Sequence, residues 1–217
     1  MLSEMFSMFV QSFWETLVMV GVSGVVGAAV GLPLGVLLYL TDRHGVLQNL
    51  AVNRVMGVIV NAVRSTPFII LLVAVIPFTR LVVGSSIGTA AAIVPLTISA
   101  APFIARLVET ALREVDRGLI EAAQAMGAST RQIVFKVLLP ESLPGIIAGL
   151  TITFVSLVGY SAMAGAIGGG GLGDLGIRYG YQRFLPEVML VVVVILIVFV
   201  QLVQSFGDWL VRRLGHR

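Results

Sequence analysis

The chain has 217 residues, of which 58% are hydrophobic, 12% are charged and none is cysteine. Its mean hydropathy of +1.02 is too high for a water-soluble protein, and its net charge of +3 comes from basic residues that alternate with apolar runs, which disfavours nucleic-acid binding. Disulfides and cysteine-ligated metals are excluded, and the two histidines, His44 and His216, lie outside the apolar runs. We therefore predict an all-α, polytopic membrane protein.

The apolar runs predict five transmembrane helices, because each run is about as long as a bilayer is thick. The predicted spans cover about residues 13–40, 55–77, 87–108, 145–166 and 185–206. Residues 1–12 contain Glu4 and no basic residue, so we expect a short extracytoplasmic segment and not a cleaved signal peptide. The transmembrane domain then occupies 13–208, and a basic cytoplasmic tail, 209–217, follows it.

The first span carries glycines at helical spacing, namely Gly24, Gly27, Gly31 and Gly35. Glycines spaced in this way let a second helix approach closely. Glycine is also common in membrane helices in general. The pattern is therefore compatible with a helix-packing face and equally with no special role.

The second span is interrupted by Arg64, which is followed by Ser65, Thr66 and Pro67. An arginine at mid-bilayer costs about 2.5–3.5 kcal/mol on insertion scales, so we expect Arg64 at the inner edge or facing the bundle interior. Ser65, Thr66 and Pro67 can open the helix there, because hydroxyl groups satisfy the backbone groups that are freed. The alternative is a snorkelling arginine at an ordinary helix end.

The third span contains Pro95 and Pro102, which favour a bent helix packed among other helices. A short outer loop, 78–86, is expected before this span. A long polar loop, 110–144, is expected after it.

The fourth span has no charged residue, and its polar groups include Tyr160 and Ser161, with Met163 beyond them. The segment 165–180 that follows is rich in glycine. We interpret it as a tight re-entrant or surface turn, where only glycine permits the backbone path.

The long polar loop begins with a predicted amphipathic helix. Leu119, Ala123 and Met126 recur on one face of it with Ile120 beside them, while Glu121 and Gln124 lie off that face. Such a helix is expected to lie against another surface through its apolar side.

A second loop helix is predicted to follow directly. Gly127 is suited to end the first helix, and Ser129 with Gln132 three residues later predicts a capping box that starts the next one. Pro140 is expected to end that helix. An exposed helix pair of this kind suits docking into a groove of a soluble partner.

The distribution of basic residues predicts the orientation. With five spans and the N-terminus outside, eleven of the 14 Lys and Arg residues fall on the inner side, which obeys the positive-inside rule and places the helix pair in the cytoplasm. The inner residues are Arg43, Arg54, Arg64, Arg106, Arg113, Arg117, Arg131, Lys136, Arg212, Arg213 and Arg217, and the outer ones are Arg80, Arg178 and Arg183.

The polar loop contains, at fixed spacing, Glu121-Ala122-Ala123, Gly127 and Val137-Leu138-Leu139-Pro140. This pattern resembles the signature loop of bacterial type I ABC importer permeases. In that family the loop is a coupling helix that seats on a cytoplasmic ATPase. The resemblance thus implies an ATPase-coupling role for Glu121, Ala122, Ala123, Gly127, Leu139 and Pro140.

The chain lacks its own source of energy. Its one lysine, Lys136, follows Phe135 and cannot belong to a Walker A loop. The fourth span carries no charged residue, and the fifth carries only Glu187 at its outer edge, so neither span provides a proton or sodium relay. Energy must then come from a bound partner. We predict a transport subunit and not an enzyme.

The resemblance supplies such a partner. In permeases of this family two copies of the membrane subunit flank one pathway, two ATPase subunits bind ATP and Mg, and a periplasmic or lipid-anchored binding protein delivers the substrate. We accordingly expect a homodimer in the bacterial inner membrane, with no cofactor in this chain.

Further motifs look like those of the methionine importer permeases: Val94-Pro95-Leu96-Thr97, Ala101-Pro102-Phe103-Ile104-Ala105-Arg106, Lys136-Val137-Leu138-Leu139-Pro140-Glu141 and Gly159-Tyr160-Ser161-Ala162-Met163. The resemblance implies transport of methionine. We expect the pathway to include Ser65, Pro67, Tyr160, Ser161 and Met163. The alternatives are a permease for another small amino acid or an osmolyte, and an energy-independent channel.

Overall fold

A computed structural model describes residues 2–43 and 45–215, so Met1, His44, His216 and Arg217 lie outside the described residues. Within those ranges the chain forms ten α-helices, three π-helical turns and no β-strand. The predicted all-α class is confirmed. The helices are α1 (Leu2–Thr41), α2 (Leu50–Ser65), α3 (Phe68–Ala74), α4 (Ile76–Val83), α5 (Thr89–Arg113), α6 (Arg117–Ala125), α7 (Thr130–Ile133), α8 (Leu139–Ala164), α9 (Gly171–Leu175) and α10 (Pro186–Leu214), and the π-helical turns are Val134–Leu138, Gly165–Gly169 and Gly176–Tyr181.

Several helices are long and apolar enough to cross a membrane. In the described part of the chain there are four such stretches: Glu4–Thr41, Thr89–Arg113, Thr130–Gly169 and Pro186–Leu214. Helices α2 and α3 meet the same criteria only when they are taken together, and they are bent by 105° at their junction. The predicted count of five spans therefore depends on whether this bent pair acts as one span.

The junction between α2 and α3 lies at the interruption that the sequence predicts. Thr66 is extended, with φ −82° and ψ 123°, and its hydroxyl donates to the carbonyl oxygen of Ala62 at 3.0 Å. Pro67 follows it and begins the next helix without needing a backbone donor. The Thr66 hydroxyl thus donates to a carbonyl oxygen that the break in the helix would otherwise leave without a hydrogen bond.

Helix α1 packs along α5 through its glycine stripe. A Cβ atom on Gly31 would lie 2.6 Å from the carbonyl oxygen of Ala101, and one on Gly35 would lie 2.6 Å from that of Ala105. A side chain on either glycine would push the helices apart. Of the two interpretations of the stripe, the helix-packing face is therefore the one that applies.

Helix α5 lies at the centre of the bundle. Leu96, Ile104 and Leu112 on it are at most 1% exposed, and both of its prolines, Pro95 and Pro102, are buried. The prediction that this helix packs among other helices is confirmed. By contrast, only 11% of the most apolar window of α10 is buried within the chain, which is the pattern of a helix facing lipid.

Two predicted boundaries between helix and loop are wrong. Residues 78–86 are not a loop for most of their length, because α4 continues to Val83 and ends at Gly84, whose φ of +80° suits a helix stop. Pro140 does not end a helix but stands in the first turn of α8. The π-helical turn before it hydrogen-bonds the Leu139 N–H to the Val134 carbonyl, and this wider turn leaves room for the proline ring.

The ends of the first and last helices also differ from the predicted spans. Helix α1 already begins at Leu2, and α10 continues to Leu214, so most of the predicted segments 1–12 and 209–217 are helical. The predicted loop 110–144 likewise includes the end of α5 and the start of α8. Membrane thickness limits how much of a helix is buried in lipid, but only a glycine, a proline or a cap stops the helix itself.

The bundle has two opposite ends. The end that contains the last turns of α1 and α5 together with α6 and α7 is here called the loop end. The other, which contains α9 and its flanking π-helical turns, is called the glycine end. At the glycine end the N–H of Gly88, just before α5, donates to the Gly168 carbonyl at 2.8 Å.

Candidate functional site

The loop end presents the predicted pair of short helices. The side chain of Asp116 accepts a hydrogen bond from the Gly118 N–H at 2.6 Å and so caps the start of α6. The helix ends just before Gly127, whose φ is +77°. Ser129 and Gln132 form the predicted capping box: the Ser129 N–H donates to the Gln132 side chain at 2.8 Å and the Gln132 N–H donates to the Ser129 hydroxyl at 3.4 Å. Local chemistry thus sets the turn between the two helices.

The predicted apolar face of α6 is divided between two surroundings. Ile120 and Ala123 are buried against the bundle, but Leu119 is 46% exposed and Met126 is 82% exposed. The predicted stripe, which has Ile120 beside Leu119, Ala123 and Met126, is therefore divided between the bundle and the exposed surface. Residues three apart, such as Ile120 and Ala123, make the buried side, and this leaves two apolar side chains for a partner.

The region after the turn also exposes an apolar side chain among basic ones. Phe135 is 62% exposed, and Arg131 and Lys136 line the same shallow depression together with Ser129 and Gln132. An exposed aromatic residue with basic neighbours is typical of a protein-binding surface. Leu119, Met126, Phe135, Arg131 and Lys136 are here called the docking residues.

The residues of the predicted coupling motif do not share one environment. Glu121, Ala122, Gly127 and Pro140 are exposed, Leu139 is half-buried and Ala123 is buried. Ala123 therefore seats α6 on the bundle, while the exposed members are free to meet a partner. Glu121 and Gln124 also line a crevice beside α1, whose other residues are Tyr39, Asp42, Gly45, Val46, Arg113, Val115, Arg117 and Ile120.

A second crevice lies beside the bend between α2 and α3. Here the ring of Tyr160 stacks on that of Phe68 with 4.7 Å between centroids, and the guanidinium of Arg64 lies 5.8 Å from the centroid of Phe103. This crevice, here called the pathway crevice because the predicted pathway residue Tyr160 lines it, is lined by Val63, Arg64, Thr66, Phe68, Ser99, Ala100, Phe103, Thr153, Ser156, Leu157 and Tyr160. It combines aromatic faces, hydroxyl groups and one cation, which suits a small molecule with charged and apolar parts.

The predicted pathway residues are only partly brought together. Tyr160 lines the pathway crevice, whereas Ser65 and Pro67 are exposed beside it at the bend. Ser161 is 2% exposed and its hydroxyl donates to the Val158 carbonyl at 2.8 Å, so in this structure it is buried and does not line the crevice. Met163 is 48% exposed and does not line the crevice.

Sequence reasoning missed other members of this crevice. Phe68, Ser99, Phe103 and Ser156 come from three helices, and none of them belongs to a motif that points to the others. The available signals were the polar residues Ser99 and Ser156, each in a largely apolar run. Such a residue is more often satisfied by its own helix, so the signal is weak.

The glycine end is built by close backbone contacts. Gly168, Gly170 and Gly171 have φ values of +94°, +81° and +78°, as predicted for a turn that only glycine permits. Two side chains of α1 that the sequence did not single out bind this turn: Glu15 accepts the Gly171 N–H at 2.8 Å and Thr16 accepts the Leu172 N–H at 2.9 Å. They cap α9 from another helix.

No set of three or more His, Cys, Asp or Glu side chains within 2–43 and 45–215 is arranged to hold a metal ion. Glu109 instead binds two arginines, and Glu15 binds a backbone amide.

Comparison with known proteins identifies relatives of this chain. Residues 31–216 match the family model of binding-protein-dependent transport system inner membrane components. The chain is 60% identical over 204 residues to the "Probable D-methionine transport system permease protein MetI" of Vibrio cholerae, covering 94% of this chain and 91% of that protein. It is 58% identical over 165 residues to the D-methionine transport system permease protein MetI of Escherichia coli strain K12, covering 76% of each chain.

Solved structures agree with this assignment. An inward-facing crystal structure of the MetNI methionine ABC transporter contains a chain that is 55% identical, with a TM-score of 0.96 over 97% of this chain and 98% of that one. A more distant amino acid ABC transporter, 20% identical, shares the fold with a TM-score of 0.79. The resemblance inferred from the loop motif is confirmed. The chain belongs to the family of binding-protein-dependent transport system inner membrane components, and it is a membrane-spanning permease subunit of an ABC importer.

Proposed function

We propose that this chain forms the translocation pathway of a methionine importer. The single observation that carries the proposal is the likeness over nearly the whole chain to the membrane subunit of a methionine ABC transporter, at 55% identity and a TM-score of 0.96. Relatives named as D-methionine permeases add the expectation that the D enantiomer is accepted. The pathway crevice fits this substrate class, because it offers aromatic surface to a thioether side chain and a guanidinium to a carboxylate.

The proposed assembly contains two copies of this chain and two copies of a separate ATPase on the cytoplasmic side. The exposed coupling residues Glu121, Ala122 and Gly127 and the docking residues would seat on the ATPase, which binds ATP and Mg. A periplasmic or lipid-anchored binding protein would deliver the substrate at the glycine end. In this orientation the N-terminus lies outside and the C-terminus in the cytoplasm, as the basic residues at the loop end favour.

The energy for transport would enter through the coupling residues. A ligand shifts a two-state equilibrium only by its difference in affinity for the two states. ATP bound between two ATPase subunits favours the state in which they are close together, and the docked helices α6 and α7 carry that preference into the bundle. The pathway crevice would then open to the opposite side of the membrane.

The test is transport in liposomes that contain this chain, its ATPase and its binding protein. We expect uptake of labelled L- and D-methionine that requires ATP, competition by unlabelled methionine, and little uptake of a charged amino acid or an osmolyte. Uptake without the ATPase would indicate a channel and would overturn the proposal. ATP-dependent uptake of a different solute would retain the permease assignment and refute the substrate.

A further inference from the structure

A buried carboxylate lies at the loop end, and it lines neither the crevice beside α1 nor the pathway crevice. Glu109 of α5 is 4% exposed, and each of its carboxylate oxygens accepts a hydrogen bond from a different arginine of the same helix. Arg106 donates to one oxygen at 2.6 Å, and Arg113 donates to the other at 2.6 Å. One buried charge is thus held by two cations, one on each side along the helix.

Each arginine also reaches a different neighbouring element. Arg106 donates to the Gly57 carbonyl at 3.2 Å and to the Asn61 side-chain oxygen at 3.0 Å, both in α2. Arg113 donates to Asp42, just after α1, at 3.0 Å. The group Asp42, Arg113, Glu109 and Arg106 therefore ties α2 and the end of α1 to α5, and it is here called the arginine relay.

The arginine relay lies between the two proposed functional regions. Helix α5 ends at Arg113 and α6 begins at Arg117, so one end of the relay adjoins the coupling loop. At the other end, Asn61 is one helical turn before Arg64, which lines the pathway crevice. A displacement of the coupling loop can thus reach the bend between α2 and α3 through the hydrogen bonds and ion pairs of the arginine relay.

We propose that the arginine relay transmits the movement of the coupling loop to α2, and so to the pathway crevice. Breaking one partner of a buried ion pair leaves an uncompensated charge, so Glu109 and its arginines must move together or exchange partners. The buried Nε of Arg106 finds no hydrogen-bond acceptor among the described residues, so this arginine is incompletely satisfied in the present arrangement. These four are positioning residues, and the inference rests on the proposed transport function.

The first test compares transport with ATP hydrolysis in the reconstituted complex. Glu109→Gln keeps the shape of the side chain and removes its charge, and we expect the ATP hydrolysed per substrate transported to rise about fivefold or more. Glu109→Asp keeps the charge and should restore part of the coupling. The matched control is Glu114→Gln, an exposed carboxylate at the end of the same helix, which should leave the ratio unchanged.

Asn61→Ala provides a second variant that does not bury an unpaired charge. It removes one of the two acceptors of Arg106 in α2 and should raise the same ratio with little loss of thermal stability. If transport and hydrolysis instead fall together in Glu109→Gln and the ratio is unchanged in Asn61→Ala, the relay is only structural and the proposal is wrong.

A distance measurement tests the arginine relay independently of which substrate is transported. The chain has no cysteine, so a single spin label can be placed at exposed Ile59 in α2 or at exposed Thr110 in α5. In the two-copy complex we expect ATP to change both label-to-label distances, and Glu109→Gln to retain the change at Thr110 while losing that at Ile59. An unaltered change at Ile59 in this variant would overturn the relay whichever solute is transported.

Discussion

Glu15 of α1 accepts a hydrogen bond from the backbone N–H of Gly171 at 2.8 Å, although the two residues are 156 positions apart. With Thr16 beside it, Glu15 caps α9, whose preceding glycines have no side chain that could do so. The space is closely filled, since a Cβ on Gly170 would lie 2.8 Å from the Glu15 carboxylate. The first transmembrane helix therefore holds the turn at the glycine end in place.

This contact predicts the stability of two Glu15 variants. Glu15→Ala removes the acceptor and should cost about 1 kcal/mol, the usual value for a lost helix cap. Glu15→Gln keeps an acceptor oxygen and should lie closer to the wild type. The measurement is thermal unfolding of the purified protein in detergent, with Glu114→Ala as the exposed control. Equal losses in Glu15→Ala and the control would show that the cap is unimportant.

The glycine stripe predicts a contrast between two glycines of α1. Gly31→Ala would bring a methyl group within 2.6 Å of the Ala101 carbonyl oxygen and should destabilise the protein by about 1–3 kcal/mol through overpacking. Gly21 has no atom within 4 Å of such a methyl group, so Gly21→Ala should be neutral or slightly stabilising. Thermal unfolding of both variants measures the difference, and a similar effect of both would contradict the packing role.

The proposed coupling role of Gly127 and Glu121 predicts variants that separate ATP hydrolysis from transport. Gly127→Asp or Glu121→Lys should abolish ATP-dependent uptake, and should weaken co-purification of the ATPase, while the permease still reaches the membrane. Gly127→Asp also strains the backbone by about 1–2 kcal/mol, because its φ is +77°. Gly84→Asp is the matched control, since Gly84 has a φ of +80° with equally open space but lies outside the coupling loop.

Two other results for Gly127→Asp and its control Gly84→Asp would contradict a coupling role for Gly127. If Gly127→Asp and Gly84→Asp both prevent membrane insertion, the backbone conformation is needed for folding. If both variants are inserted and transport at the wild-type rate, the loop does not dock through Gly127.

The stacked pair of the pathway crevice predicts graded effects on uptake. Tyr160→Phe keeps the ring on Phe68 and loses the hydroxyl, so a modest fall in the uptake rate is expected. Tyr160→Ala loses the stacking as well, which is worth about 0.5–1.5 kcal/mol beyond area burial, and should lower uptake further. Met163→Ala changes an exposed side chain outside the crevice. Met163→Ala should therefore leave uptake unchanged, and wild-type uptake in Tyr160→Ala as well would indicate that the Tyr160 ring only packs α8 against α3.

Features that depend on near neighbours could be predicted from the sequence. The capping box at Ser129 and Gln132, the stop at Gly127 and the opening at Thr66 and Pro67 each need only residues within one turn. The apolar runs likewise identify the long helices, because burial in lipid depends on composition along one segment. The wrong boundary at Pro140 arose because a π-helical turn, which no local motif announced, accommodates the proline.

Other features were decided only by tertiary structure. Glu15 meets Gly171, Arg113 meets Asp42 71 positions away, and Tyr160 meets Phe68, because α1, α2, α3, α5 and α8 are brought together by packing. The sequence alone determined an apolar, all-helical permease with a polar loop that carries the predicted coupling motif, since periodicity and short motifs act locally. Which polar groups face a crevice, which are buried in their own helix as Ser161 is, and which join one helix to another depend on helix rotation and contact, and those are properties of the folded bundle.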